Sequence, residues 1–136
     1  MPSEKPTILV VENEGDIRGL LQIALQGDYN VIFAPTVALA KKLIEERRDA
    51  IALVLTDWNI DGDKPEQTGA EVIWTARTAG IQRFVVITGR GDNLPEIEKH
   101  SPDAVALKPF DIMALKETIA RLIGQPAEAK ALAVGS

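Results

Sequence analysis

The strongest constraint in this chain is an alternation of two periods. Short apolar runs recur along it, and each is followed by a segment whose apolar residues fall at helical spacing. TILVV (7–11) is β-branched and bounded by polar residues, which reads as a buried strand. Ile17, Leu20, Leu21, Ala24 and Leu25 then follow at i, i+3, i+4, i+7 and i+8, one face of a helix. YNVIFA (29–34) reads as a second strand, and Val37, Ala40 and Ile44 line a helix that ends in EERRD. AIALVLT (50–56) is apolar almost throughout, as a strand covered on both faces should be. Val72, Ile73 and Ala76 mark a third helix, and FVVIT (84–88) a fourth strand. GDNLPEIEKHS reads as a short polar helix with Asn93 as N-cap and Pro95 near its first turn. AVAL (104–107) is a fifth strand, and Ile112, Leu115, Ile119 and Leu122 give a last helix closed by Gly124. Successive βα units of this kind predict an α/β fold: a doubly wound, five-stranded parallel sheet with helices on both faces.

Length and composition narrow the class. The 136 residues suit one domain, with its core at about 6–124 and a small, Ala-rich tail at 125–136 that either extends the last helix or is disordered. A net charge of −5 argues against nucleic acid as a direct partner. With no cysteine there are neither disulfides nor thiolate metal sites. The N-terminus has too short an apolar run for a signal peptide, and no stretch approaches the roughly 18 apolar residues of a membrane span. A soluble, cytoplasmic protein without membrane insertion is expected.

One stretch invites a metal reading. In LTDWNIDGD (55–63), Asp57, Asn59 and Asp61 alternate and Gly62 follows, like the start of an EF-hand loop. The match breaks at the twelfth position, which is Thr68 where a bidentate Glu is required, and at Pro65 in the ninth. An apolar strand, not a helix, precedes it. Asp57 belongs instead with the other strand ends. Glu12, Asn13 and Glu14 follow the first strand, Asp57 closes the third, Thr88 closes the fourth, and Lys108 follows the fifth. A parallel sheet gathers these groups at one rim, where ligands of such sheets bind. Singly, each has an ordinary reading as a cap, turn or solvated residue. Together they describe an oxygen-rich Mg²⁺ site with an Asp able to act as a nucleophile toward phosphorus, and a hydroxyl and an ammonium to hold phosphoryl oxygens.

At this point the chain resembles a known family, the receiver domains of two-component response regulators, over about residues 6–124. ILVVENEGDIRGLL resembles the family's opening, LVLTDWNIDGD its phosphoacceptor strand, VVITG the strand with the Ser/Thr switch, and LKPF its Lys-Pro motif. The resemblance implies the flavodoxin/CheY-like fold and a single-domain regulator in a phosphorelay. It implies that Asp57 accepts a phosphoryl group from a histidine kinase or histidine phosphotransfer protein. Glu12 and Asn13 would hold Mg²⁺ together with Asp57 and the backbone carbonyl of Asn59. Thr88 would bond the phosphoryl group and swing inward, Lys108 would pair with it, and a downstream protein target would read the change. Chemistry on the protein itself is implied, not turnover of a separate substrate.

Four departures bear on that expectation. The second acid of the family's pair is Asn13, which keeps an oxygen but no charge. IDGDKPEQTG is longer than the usual connection by about four residues, against a typical loop of about 2–6. Val105 stands three residues before Lys108, where an aromatic is usual, and Gly89 follows Thr88, where Ala is common. RFVVITGR matches in part a longer aromatic signature that carries Thr-Gly in some single-domain receivers. Asn13 keeps open a different class, an unphosphorylated pseudo-receiver that binds a partner by shape. A haloacid-dehalogenase-type phosphatase would need an Asp two residues beyond the nucleophile, where Asn59 stands. His100, the single histidine, reads as a solvated surface residue, Trp74 as a packing residue, and Trp58 as either packing or a reporter of metal binding. Lys41 and Arg47 read as parts of solvated helix faces.

Overall fold

The structure, a computed structural model, describes residues 5–60 and 68–124. Five strands run Thr7–Val11 (β1), Asn30–Ala34 (β2), Ile51–Asp57 (β3), Phe84–Thr88 (β4) and Ala104–Leu107 (β5). They form one sheet in the order β2-β1-β3-β4-β5, and every neighbouring pair is parallel. Helices fill the four crossovers, Gly15–Leu25 (α1), Val37–Arg47 (α2), Gly69–Thr78 (α3) and Leu94–Glu98 (α4), with a 3-10 turn at Gly91–Asn93 ahead of α4, and Ile112–Ile123 (α5) follows the last strand. This is the doubly wound architecture expected from the alternation.

Strand parity divides the core into two layers. Ile8, Val10, Leu53, Leu55, Val85 and Ile87 point to one face, where α1 and α5 bury Leu21, Leu25, Leu115, Ile119 and Leu122. Leu9, Val11, Val54, Phe84 and Val86 point to the other, against Val37, Ala40 and Ile44 of α2, Val72, Ile73 and Ala76 of α3, and Ile97 of α4. Each Val, Leu, Ile or Phe side chain among these, taken fully from water, contributes about 1.5–3 kcal/mol before entropy is charged against it. Three helices begin on side-chain caps as polar residues at those points allow. Thr36 accepts from the Leu39 N–H, Thr68 from Ala70, and Asp111 from Met113 and Ala114.

Several local expectations change. Asn93 does not cap α4; its backbone is already helical and its side chain points elsewhere. Leu20 is exposed although it fits the apolar stripe of α1, because Leu21 and Leu25 carry the contact with the sheet. Trp74 is 66% exposed, since Val72, Ile73 and Ala76 already cover the buried face of α3. Trp58 is buried, and His100 is half-buried beside it, ring centroids 5.5 Å apart, rather than solvated. Lys41 pairs with Glu71 at 2.9 Å, tying α2 to α3. The long connection at 61–67, the Asp61 and Gly62 positions within it, and the 125–136 tail lie outside the described residues.

The chain reverses its direction of winding between β1 and β3, so their carboxyl ends border the crevice of the sheet. Gly69 fixes the end of β3 there. Its N–H donates to the Trp58 carbonyl at 2.8 Å, and a Cβ on it would lie 2.7 Å from the Asp57 carbonyl oxygen and 3.1 Å from the Trp58 ring. Gly89 has no such restriction, as a Cβ there would meet only the Lys108 stem at 3.9 Å. Gly69→Ala should therefore destabilise the domain by about 1–3 kcal/mol, while Gly89→Ala stays near wild type. Thermal melting of the two variants checks this, and equal midpoints would refute the close approach at Gly69.

Candidate functional site

The site begins with backbone register. Asp57 is the last residue of β3 and pairs across the sheet with Ile87; Thr88 is one residue further along β4, opposite Leu107. The Lys108 N–H donates to the Thr88 carbonyl at 2.8 Å, which places the Lys side chain immediately past β5, followed by a cis bond to Pro109. Glu12 continues β1 by one hydrogen bond, its N–H donating to the Ala34 carbonyl at 3.1 Å. Four separate strand ends thus deliver Glu12, Asp57, Thr88 and Lys108 to one rim.

The Lys108 ammonium is the centre of the cluster. Its Nζ lies 3.1 Å from Asp57 Oδ2, 3.2 Å from Glu12 Oε1 and 3.0 Å from Glu14 Oε1. Glu14 occupies the N-cap position of α1 but makes no side-chain cap; it reaches to the ammonium instead. Glu12 is wholly buried. Its Oε2 accepts from the Glu14 N–H at 3.0 Å, and its backbone carbonyl accepts from Arg18 at 2.9 Å. Glu12 Oε1 is buried and, among the described residues, has no hydrogen-bond partner, although the ammonium is in ion-pair range. We read that contact as charge attraction without hydrogen-bond alignment.

Electrostatics follow from burial with too few cations. Asp57, 5% exposed, has its carboxyl raised above the usual range, chiefly by burial; Lys108 and backbone N–H groups pull it partly back. Glu12 is raised by burial and then by the charge of Asp57. For Lys108, burial alone would lower the ammonium, but its hydrogen bond to Glu14 and the charges of Asp57 and Glu12 outweigh that and raise it.

Asn13 is exposed and lies on the rim of an open cleft of about 320 Å³, lined also by Glu14, Asp57, Asn59, Gly89, Arg90 and Lys108. The Asn59 N–H makes a long contact with Asp57 Oδ1 at 3.4 Å. The Thr88 hydroxyl is buried and engages its own loop: it donates to the Arg90 carbonyl at 3.3 Å and accepts from the Arg90 N–H at 3.2 Å. One participant was hidden in the sequence and another lacked a role: Glu14 falls at the rim without a partner, and Asn93, 34 residues from Asn59, reads as a cap; the Asn93 Nδ2 donates to Asn59 Oδ1 at 3.0 Å and to Thr88 Oγ1 at 3.3 Å. Only folding brings these pairs together.

No family model and no curated protein matches the chain. Solved structures do. The signal receiver domain of a putative LuxO repressor protein from Vibrio parahaemolyticus matches with a TM-score of 0.74 at 20% identity, covering 97% of this chain and 98% of that one. A response regulator receiver domain protein from Clostridium thermocellum matches with a TM-score of 0.76 at 22% identity, over 88% and 94% of the two chains. Chemotaxis protein CheY4 of Vibrio cholerae matches with a TM-score of 0.73 at 21% identity, over 87% and 98%. The chain has the receiver-domain fold of response regulators. Among the described residues, no helix is long and apolar enough to cross a membrane.

The cluster has an asymmetric response to mutation and pH. A carboxyl whose folded pKa is raised contributes stability that is complete below its unfolded value and lost as pH rises through the folded one. At neutral pH the ionised Asp57 therefore costs stability, while Lys108 would remain paired with Glu12 and Glu14 without it. Asp57→Asn should raise the melting midpoint at pH 7 by a few degrees, and the gain should vanish near pH 4 and below. Lys108→Ala leaves buried carboxylates without their cation and should cost about 3–5 kcal/mol at pH 7, a loss that shrinks toward pH 4. Melting across that range checks both, and an Asp57→Asn midpoint below wild type at pH 7 would contradict the electrostatic reading.

Proposed function

We propose that the protein is a cytoplasmic phosphorelay receiver that accepts a phosphoryl group on Asp57 from a histidine kinase or histidine phosphotransfer protein. The observation that carries this reading is the Asp57 carboxylate lining an open cleft with an ammonium 3.1 Å away. The carboxylate would form a P–O bond as the donor's P–N bond breaks, with the electron pair leaving on the donor. Lys108 would then pair with the new phosphoryl oxygens through charge-assisted contacts. The Thr88 hydroxyl would turn from Arg90 toward the same oxygens. A protein target would read the altered surface.

The residues suit Mg²⁺. Glu12 Oε1 is buried and, among the described residues, has the Lys108 ammonium in ion-pair range but no hydrogen-bond partner, and three carboxyl groups face that one ammonium. Among the described residues there is no group of three or more His, Cys, Asp or Glu arranged for a metal, but Mg²⁺ needs only one or two carboxylates and keeps its waters. Glu12, Asp57 and the Asn59 carbonyl would hold it, with Asn13 offering a neutral oxygen. When bound, the ion neutralises phosphoryl charge during transfer.

Two measurements test the proposal. Incubation with acetyl phosphate and Mg²⁺ should add one phosphoryl group to the intact mass, and Asp57→Asn or removal of Mg²⁺ by EDTA should abolish the gain. No gain from any donor, including a purified kinase, would favour the pseudo-receiver to which the uncharged, exposed Asn13 points. Separately, a unit charge about 4 Å from a doubly charged ion is worth up to ~8 kcal/mol at an effective dielectric of ~20, twice the value for two unit charges, and most of it is cancelled by solvation. Asn13→Asp should therefore tighten Mg²⁺ binding several-fold in a titration of Trp58 fluorescence, read in a Trp74→Phe background. Unchanged affinity would remove position 13 from the metal site.

A further inference from the structure

Asn93 has no part in the chemistry just described, yet its side chain spans two site residues. Its Nδ2 donates to Asn59 Oδ1 and Thr88 Oγ1, at 3.0 and 3.3 Å. Asn59 lies two residues past Asp57, on the segment leaving β3, and its N–H contacts Asp57 Oδ1. Thr88 ends β4. Asn93 itself ends the Gly91–Asn93 turn and immediately precedes α4. One amide group therefore joins the ends of two central strands to the start of the fourth helix.

The hydrogen-bond inventory of Thr88 gives this link its direction. The hydroxyl accepts from the Arg90 N–H and from Asn93 and donates its single proton to the Arg90 carbonyl. Every one of these partners lies in the segment between β4 and α4, so the hydroxyl is directed at the loop. A phosphoryl oxygen on Asp57 would need that proton. Transferring the hydrogen bond from Arg90 to the new acceptor turns Thr88 Oγ1 toward the cleft and away from the Asn93 donor. The β4–α4 segment is held more lightly at its start than past the end of α4, where Arg77 donates to the His100 and Ser101 carbonyls and His100 packs on Trp58. Its 3-10 turn has no side-chain cap, α4 is five residues long, and Ile97 is its buried anchor.

Resting on the phosphoacceptor reading for its last step, we infer that Asn93 is a positioning residue: a clamp that holds Thr88 and Asn59 to α4 before phosphorylation and releases α4 when Asp57 is loaded. It touches no reacting atom. With Val105 where an aromatic is usual in the family, the clamp offers another route by which the state of the cleft reaches this face of the molecule.

The experiment compares the full chain with Asn93→Ala and Asn93→Gln, the latter keeping the amide donor on a longer arm. The first readout is amide hydrogen exchange without any ligand. Loss of one net hydrogen bond should speed exchange at residues 91–98 by about five- to tenfold in Asn93→Ala, with partial rescue in Asn93→Gln and wild-type rates in β1 and β3. The second readout is titration with beryllofluoride and Mg²⁺, followed by Trp58 fluorescence in a Trp74→Phe background and by amide shifts. Asn93→Ala should bind the phosphoryl mimic several-fold tighter, because Thr88 no longer has to leave a partner, and the extra shift change in α4 on loading should be smaller. Wild-type exchange at 91–98 in Asn93→Ala would overturn the clamp. So would faster exchange combined with wild-type affinity and wild-type α4 response. If the wild-type chain itself takes no beryllofluoride, the phosphoacceptor reading fails and with it the release step, while the exchange data still decide whether Asn93 holds α4.

Discussion

A single ammonium group organises the upper rim of this protein. Lys108 Nζ sits within 3.2 Å of carboxyl oxygens from Asp57, Glu12 and Glu14. Glu12 and Asp57 are almost wholly removed from water, where an unpaired charge is costly. The pairing resolves that cost incompletely: both buried carboxyls still titrate above their usual range. A rim in this condition has a standing demand for positive charge, and residues that meet it are held in place by it. Glu14 even leaves the start of α1 without a side-chain cap in order to reach the ammonium.

What allows such a cluster is the rigidity beneath it. β1, β3 and β4 are buried along nearly their whole length, with helices covering both faces. Because register runs unbroken from Val54 with Phe84 to Asp57 with Ile87, the apolar core sets the heights of the polar ends. Gly69 adds a local restraint, since its bare Cα lets α3 begin against the Asp57 carbonyl. The edge strand β5 is only partly buried, yet its backbone bond from Lys108 to Thr88 locks the ammonium to the same frame.

A second, neutral network adjoins the charged one. Asn59, Thr88, Arg90 and Asn93 exchange hydrogen bonds along the edge of the cleft. The two networks meet at Asp57, through the long Asn59 contact on one oxygen and Lys108 on the other. Charge on the cleft and position of the β4–α4 segment are in this way coupled through adjacent bonds. Coupling of this kind is physical only if some element has two arrangements, and the short α4, entered through a 3-10 turn without a side-chain cap, is the element this network reaches.

The sequence by itself determined the architecture, because hydrophobic periodicity reports directly which faces are buried. The apolar run at 50–56 and the stripe Leu115, Ile119, Leu122 allow few other folds. It also placed Glu12, Asp57, Thr88 and Lys108 at one rim, since in a parallel sheet position at a strand end is a matter of chain order. The tertiary structure alone decided what those groups touch. That Glu14 joins the ammonium, that Asn13 faces solvent, that Trp74 is exposed while His100 packs on Trp58, and that Asn93 bonds across 34 residues to Asn59 have no local signal. A side chain's partners at long range depend on rotamer, loop path and the competition among neighbours for each donor. None of these is written in periodicity, and each is settled only when the strands and helices close on one another.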